Sequence, residues 1–454
     1  LLLRRLRRCL FALTLIGLLG AGAASGAAQT ESRDPFFPRS GNSGYDVSSY
    51  RLRLAYQPRN GRLNATATIG AVAGRRLSRF SLDLDGLKVT KVSVDGKPAA
   101  FARGRGKLKV SPALPPAPGT EFTTVVHYQG RPGLVTDPDG SQEGWYRTDD
   151  GALAVGEPIG TATWIPCNNT LTDKALFSFE ITVPRGLKGV ANGRLTGVTR
   201  HGSQTTYGWN AAEPMAPYLA GIEIGRGKLV RGRIGATPSW TLVDPRLAAD
   251  TWPVLGKLPE VVHFESSIFG PYPFDAAGSI VDVAGFAYAL ETQTRPTYAF
   301  VPDLTTVVHE TAHQWFGDSV GLRRWPNIWL NEGFATWAQW YYAERHGGRS
   351  AAQIFHTLYR VSASNTRFWD PPSGHPGTAK NIFATSTYVR GAMALEALRL
   401  KIGTAEMLKT LRLWATAHRY GNADIDQFVA LAEEVSGRDL GPLFQRWLYK
   451  RGKP

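Results

Sequence analysis

The spacing of apolar residues changes once along this chain, near residue 236, and the change calls for two differently built halves. From about Tyr45 to Gly235 polar and apolar residues alternate, as in Ser49-Tyr50-Arg51-Leu52-Arg53-Leu54 and Lys88-Val89-Thr90-Lys91-Val92-Ser93-Val94. Successive side chains of a strand point to opposite faces, so alternation suits sheets with one face buried. Phe122 to Tyr128 and Leu176 to Val183 read the same way. Asp85-Gly86, Asp95-Gly96 and Asp139-Gly140 supply turn dipeptides at hairpin spacing. The proline-rich stretch 112–118 is too short to separate domains. Beyond residue 236 the period becomes helical over 259–269, 304–316, 328–346, 351–361, 387–401, 405–417 and 424–435. Asp303 stands at one helix start, and Gly317 and Gly347 just past two ends. A few strands remain between Ser279 and Thr297. The expectation is a multidomain α+β chain: an all-β saddle or sandwich over 45–235, then a mainly helical domain with a small sheet over 236–454.

Residues 1–28 read as an export signal, followed by a flexible segment over 29–44. Arg4, Arg5, Arg7 and Arg8 precede an apolar run from Cys9 to Leu19, and small residues at Ala21-Gly22-Ala23 and Gly26-Ala27-Ala28 offer cleavage sites. The run is short for a bilayer span, which favours cleavage and secretion over a membrane anchor. Arg7-Arg8 matches a twin-arginine signal only in part. With Cys9 in the leader, Cys167 stands alone, so no internal disulfide is expected and Cys167 reads as a small packing residue.

The formal charge of +15 becomes +11 without the four leader arginines (15 − 4). The remaining basic residues are scattered or sit in glycine-rich patches such as Arg103-Gly104-Arg105-Gly106-Lys107. They are not interleaved with aromatics and carry no nucleic-acid-binding motif, so nucleic acid is not an expected partner. A solvated basic surface, compatible with loose association with an anionic cell surface, is the expectation. No stretch in the body of the chain is long and apolar enough to span a membrane.

The residues that carry chemistry begin at His309-Glu310-Thr311-Ala312-His313. Four-residue spacing on a helix stacks the two imidazoles on one face, where they can bind zinc together. Glu310, about 100° around the same helix, is placed to act as a base on the attacking water. Glu332 follows nineteen positions after His313, in a helix apolar almost all round: Ile328, Trp329, Leu330, Phe334, Trp337, Trp340, Tyr341 and Tyr342. Such a helix is buried, and a buried carboxylate must be paired or bind metal. Two histidines and one glutamate leave the fourth zinc position open, as catalysis requires.

These residues resemble the aminopeptidase N-like family of zinc peptidases, within the thermolysin clan. His309-Glu310-x-x-His313-Gln314-Trp315-Phe316-Gly317 and Trp329-Leu330-Asn331-Glu332-Gly333-Phe334-Ala335 are similar to its two metal segments. Trp164-Ile165-Pro166-Cys167-Asn168, Met215-Ala216-Pro217-Tyr218-Leu219 and Phe444-Gln445-Arg446-Trp447-Leu448 extend the resemblance over nearly all of the chain after the leader. It implies an amino-terminal β saddle and a thermolysin-like catalytic domain, in a short form lacking the large carboxy-terminal helical domain. It implies one zinc per chain, held by His309, His313 and Glu332. Tyr388 matches the tyrosine that stabilises the tetrahedral intermediate. Glu291 falls in the amine-binding motif, and Glu157, before Pro158, sits where a residue of the β domain meets the substrate amine. Tyr288 and Thr292 depart from that motif's Gly and Asn.

The resemblance therefore implies removal of amino-terminal residues from peptides, with Glu310 as base, Tyr388 as oxyanion donor, and Glu291 and Glu157 as the ammonium receptor. Two alternatives are a thermolysin-like endopeptidase with the same zinc and no amine anchor, and a non-catalytic peptide-binding protein. An intact Glu310 and Tyr388 argue against the last.

Overall fold

The computed structural model describes residues 34–454. The expected signal, residues 1–28, and residues 29–33 lie outside the described residues. The first half is built on an eight-stranded sheet. Its long strands are β1 (Tyr45–Gln57), β2 (Arg62–Ala73), β3 (Glu121–Gly130) and, after a second sheet containing β4 (Gln142–Arg147) and β5 (Ala152–Val155), β6 (Ala175–Pro184) and β7 (Gln204–Met215). The order β7-β6-β1-β2-β3 is antiparallel except at the centre, where β1 and β6 run parallel. Alternation fixes the register: Leu52 lies opposite Phe179 on one side and Ala67 on the other, all buried, while Arg53 pairs with Glu180 on the solvent face.

The second half begins with a hairpin, β8 (Lys228–Ile234) and β9 (Thr237–Val243). β9 pairs in parallel with β10 (Ala277–Val281), and the sheet continues through β12 (Thr297–Tyr298) to an edge at β11 (Ala289–Leu290). The division expected at 235/236 thus falls inside a hairpin. Hydrogen bonding assigns 228–243 to the second sheet and puts the division near Gly225–Gly227. A hairpin looks alike in sequence whichever sheet takes it up.

The longer helices are α1 (Ala248–Leu255), α2 (Leu258–Phe269), α3 (Leu304–Ala312), α4 (Trp329–Arg345), α5 (Ala351–Val361), α6 (Gly391–Ile402), α7 (Thr404–Ala417) and α8 (Ile425–Ser436). Asp303 caps α3 by accepting from the Thr306 amide at 2.7 Å, and Ser350 with Gln353 forms a capping box on α5. α4 buries Trp329, Leu330, Phe334 and Trp337 on all sides and underlies the catalytic half. One apolar core runs continuously through both halves, from Phe37 to Leu448.

Residues 34–44, expected to be flexible, are anchored. Asp34 accepts from the Trp325 amide at 2.8 Å, and the Phe37 ring meets the Trp325 indole edge-on, with centroids 5.9 Å apart. Ser40, Gly41 and Asn42 bond to Asn169, Asp83 and Asn168. The anchors are polar groups with partners more than 40 positions away, and no local periodicity reveals them. This segment fastens the loop before α4 to the β domain. Among the described residues, no helix is long and apolar enough to cross a membrane.

Candidate metal centre and active site

α3 presents His309 and His313 one turn apart, with ring centroids separated by 4.7 Å. The helix ends at Ala312, short of the expected Phe316, but His313 keeps helical backbone angles and its amide still bonds to the His309 carbonyl. α4 brings Glu332 to both imidazoles. One carboxylate oxygen, Oε2, lies 3.1 Å from His309 Nε2 and 3.4 Å from His313 Nε2. Burial works against this carboxylate, but the two imidazoles outweigh it and hold Glu332 down at about 2. Donor atoms from the three residues lie within 4.8 Å of one another. His313 directs Nδ1 at the Phe316 carbonyl, 3.0 Å away, which fixes the ring and leaves Nε2 as the ligand nitrogen. Two neutral nitrogens and one anionic oxygen converging on a point form a donor set that fits zinc.

Glu310 is buried, and its carboxylate approaches Glu291 and His313, with donor atoms of those three also within 4.8 Å. Burial pushes Glu310 well above the ordinary carboxylate range. Tyr388 stacks on His309, with ring centroids 6.1 Å apart. It lies in a π-helical turn, Ser386–Arg390, rather than in the regular helix expected there. Such turns re-aim single side chains within a helix and are frequent at functional sites. Arg390 holds the turn by donating to the carbonyls of Trp447 at 2.7 Å and Lys450 at 2.5 Å, and to that of Trp369.

Glu291 follows edge strand β11 and is 2% exposed, yet its Oε1 has no hydrogen-bond partner among the described residues. Glu157 follows β5, from the β domain, and its Oε1 is equally buried and unpartnered. Burial raises the Glu157 pKa first, followed by repulsion from Glu291, Glu332, Glu143 and Glu310. The seven residues singled out in sequence are therefore brought together at one place, between the two halves.

Tyr288 and Thr292 flank the anchor strand and make their own contacts. The Tyr288 hydroxyl donates to the Gln142 carbonyl at 2.6 Å, and its ring stacks on Phe286, which in turn meets Tyr146. The Thr292 hydroxyl is taken up by the Arg295 carbonyl and the Thr297 hydroxyl. Both departures secure the strand carrying Glu291.

Sequence reasoning gave Gln314 no role. Its Nε2 donates to the Glu291 carbonyl at 3.2 Å, and its Oε1 accepts from the Thr294 amide at 2.7 Å. Gln314 thus ties the segment of Glu291 to the one bearing His313. The available signal was a buried amide directly after a ligand histidine and before the apolar pair Trp315-Phe316.

The comparisons with known proteins agree with this geometry. The profile of the peptidase family M1 domain matches residues 290–447. The M1 zinc metallopeptidase of Deinococcus radiodurans is 30% identical, with a TM-score of 0.84 over 93% of this chain and 97% of that one. This chain belongs to peptidase family M1. A variant of the Deinococcus M1 enzyme, solved with a Tyr-Ser-Ala substrate, superposes with a TM-score of 0.86 at 28% identity, covering 93% of this chain and 98% of its own. A two-domain M1 zinc metallopeptidase bound to L-arginine gives 0.85 at 30% identity, again with 93% and 98% covered. Among curated relatives, the leucyl aminopeptidase of Saccharolobus solfataricus is 24% identical over 405 residues and probable aminopeptidase 2 of Sulfurisphaera tokodaii 23% over 402. Each match takes in 82% of this chain and 50% of the relative, so the chain spans about half the length of the curated relatives it matches. Zinc is the metal of this M1 site, and the two-domain α+β architecture is that of the short M1 structures.

Proposed function

We propose that this M1 chain is a zinc aminopeptidase that removes amino-terminal residues from peptides. One observation carries the reading: two carboxylates from different halves, Glu291 and Glu157, converge beside the metal trio, each with a buried oxygen that has no hydrogen-bond partner among the described residues. Unpaired buried carboxylate oxygens are costly, and a substrate ammonium is the group that would satisfy them. Holding the α-ammonium there sets the scissile bond one residue in.

His309, His313 and Glu332 would hold the zinc, which when bound supplies Lewis acidity to the scissile carbonyl and the attacking water. Glu310 takes the proton of that water at its carboxylate and returns it to the departing amine. The Tyr388 hydroxyl is far from ionising and donates a hydrogen bond to the developing oxyanion. Gln314 keeps Glu291 in register with these groups.

The test is a panel of aminoacyl fluorogenic substrates, free and amino-terminally acetylated, on zinc-loaded protein and its Glu291→Ala variant. Free substrates should turn over and acetylated ones should not. Glu291→Ala should lower kcat/KM for free substrates by roughly two orders of magnitude or more with zinc retained. Acetylated peptides cleaved internally at the parent rate, with Glu291→Ala silent, would make the protein an endopeptidase.

The basic leader with its apolar run and small-residue sites supports export with cleavage near residue 28, and the charge left afterwards supports loose association with an anionic cell surface. Amino-terminal sequencing of protein from the culture medium checks the first point, since an intact leader on cell-bound protein would indicate an anchor.

A further inference from the structure

A cleft of about 1230 Å³ opens on the β domain, between the anchored segment 34–44 and the small sheet containing Phe80–Asp83, Ala100–Gly104 and Lys107–Ser111. None of the seven active-site residues lines it. Arg39, Arg75, Arg79, Arg105 and Lys109 do, all exposed, and none has a carboxylate within ion-pair distance among the described residues. Lys107, deeper in, is held by Asp83 and by the Gly41 carbonyl.

Three carboxyl groups also line the cleft, Asp34, Asp46 and Asp173, and only Asp46 of these is on an exposed residue. Asp34 accepts from the amides of Phe36, Phe37 and Trp325. Asp173 is buried, accepting from the Val47 amide and the Asn168 side chain and hydrogen-bonding to Asp46. Six cations, Lys107 included, thus face three carboxyl groups around one concavity, and the excess focuses a positive potential into it.

We propose that this cleft binds a linear polyanion with repeating phosphate groups. Four of the six cations are arginines, whose planar forks match phosphate oxygens in pairs. The cleft exceeds the roughly 300–1,000 Å³ of small-molecule pockets, which suits several repeats of a flexible chain better than one small anion. A flat bilayer cannot enter a concavity. The large side chains lining the cleft, Tyr45 and Phe80, are buried beneath it, leaving no exposed ring on which a nucleobase could stack. The proposal goes beyond the peptidase reading and rests on none of its steps.

The experiment measures binding of fluorescent long-chain polyphosphate to the zinc-loaded full chain by anisotropy across a salt series. Compared with it are an Arg75→Gln/Arg79→Gln/Arg105→Gln variant and a control losing the same charge elsewhere, Arg200→Gln/Arg360→Gln/Arg451→Gln. The cleft variant should bind at least ~10-fold more weakly, and its log–log salt slope should shrink by about 2, at roughly 0.7 per lost contact. The control should bind as the parent does, and both variants should keep parental peptidase turnover and melting temperature. Should the triple variant misfold, Arg39→Gln/Lys109→Gln set against Arg200→Gln/Arg360→Gln provides a comparison of equal charge. Equal weakening in the control would reduce the effect to net charge and overturn the proposal. So would equal or tighter binding of poly-glutamate, of an oligonucleotide of matched charge, or of anionic vesicles.

Discussion

Glu310 shares α3 with two metal ligands, whereas Tyr388 reaches the site from a separate turn, and the two should fail differently from the ligands when replaced. Glu310→Gln should retain zinc and lose at least ~10²-fold in turnover, the scale of a missing general base. Tyr388→Phe should cost on the order of 10²-fold, again with metal retained. Metal content measured beside kcat separates both from His313→Ala, which should lose zinc and activity together. Gln314 acts one step removed, through the strand bearing Glu291. Gln314→Ala should raise KM for unblocked substrates roughly tenfold more than it lowers kcat. Gln314→Glu keeps the acceptor for Thr294 and loses the donor to Glu291, and should fall between; a uniform loss of kcat with unchanged KM would show that the clamp does not position the anchor. The ligands were legible in sequence because helical spacing and an apolar helix constrain them locally. Gln314 was not, since both its partners lie about twenty positions upstream in the loop between β11 and β12, whose placement no local pattern announces.

At the scale of elements, α4 and the segment leading into α6 cross where neither has a side chain. A Cβ on Gly333 would sit 2.9 Å from the Gly391 carbonyl carbon, and one on Gly391 would sit 3.0 Å from the Gly333 Cα. Glu332 precedes one glycine by a residue and Tyr388 precedes the other by three, so this contact sets the spacing of Glu332 from Tyr388. Gly333→Ala should destabilise the protein by roughly 1–3 kcal/mol, the usual cost of overpacking, and weaken zinc retention in a chelator titration. A melting curve and zinc affinity equal to the parent's would show that the crossing can relax. Helix α5 was readable to the residue because Ser350 and Gln353 announce its start. α1 was not, since Pro253 interrupts its period. The π-helical turn at Ser386–Arg390 was also missed, because what holds it is Arg390 reaching carbonyls 56 to 62 positions away.

Across the whole molecule the halves meet at a carboxyl cluster as well as at the active site. Arg246 bridges Asp149 of the β domain, at 2.6 Å, to Asp244 and Asp282 of the second sheet, and Glu223 packs against Asp282 from the β side. Burial, then the neighbouring Asp244 carboxyl, push Asp282 up to about 7. A carboxyl raised above its unfolded value of about 3.9 adds stability that is full below that value and lost as pH rises through about 7. Melting temperature should therefore fall between about pH 4 and pH 7, the interval between the two values, and Asp282→Asn, which cannot ionise, should flatten that slope; an unchanged slope would place the loss elsewhere. The two-layer plan of the molecule was legible from one change of period, whereas this interface and the anchored segment 34–44 depend on pairings that only the folded chain creates. All three zinc ligands fall between residues 309 and 332, while Glu157 reaches the same place from the opposite half. Recombination between relatives at the 225–227 junction would accordingly transmit the metal centre intact, and what varied among the progeny would be the carboxylate that the other half sets beside it.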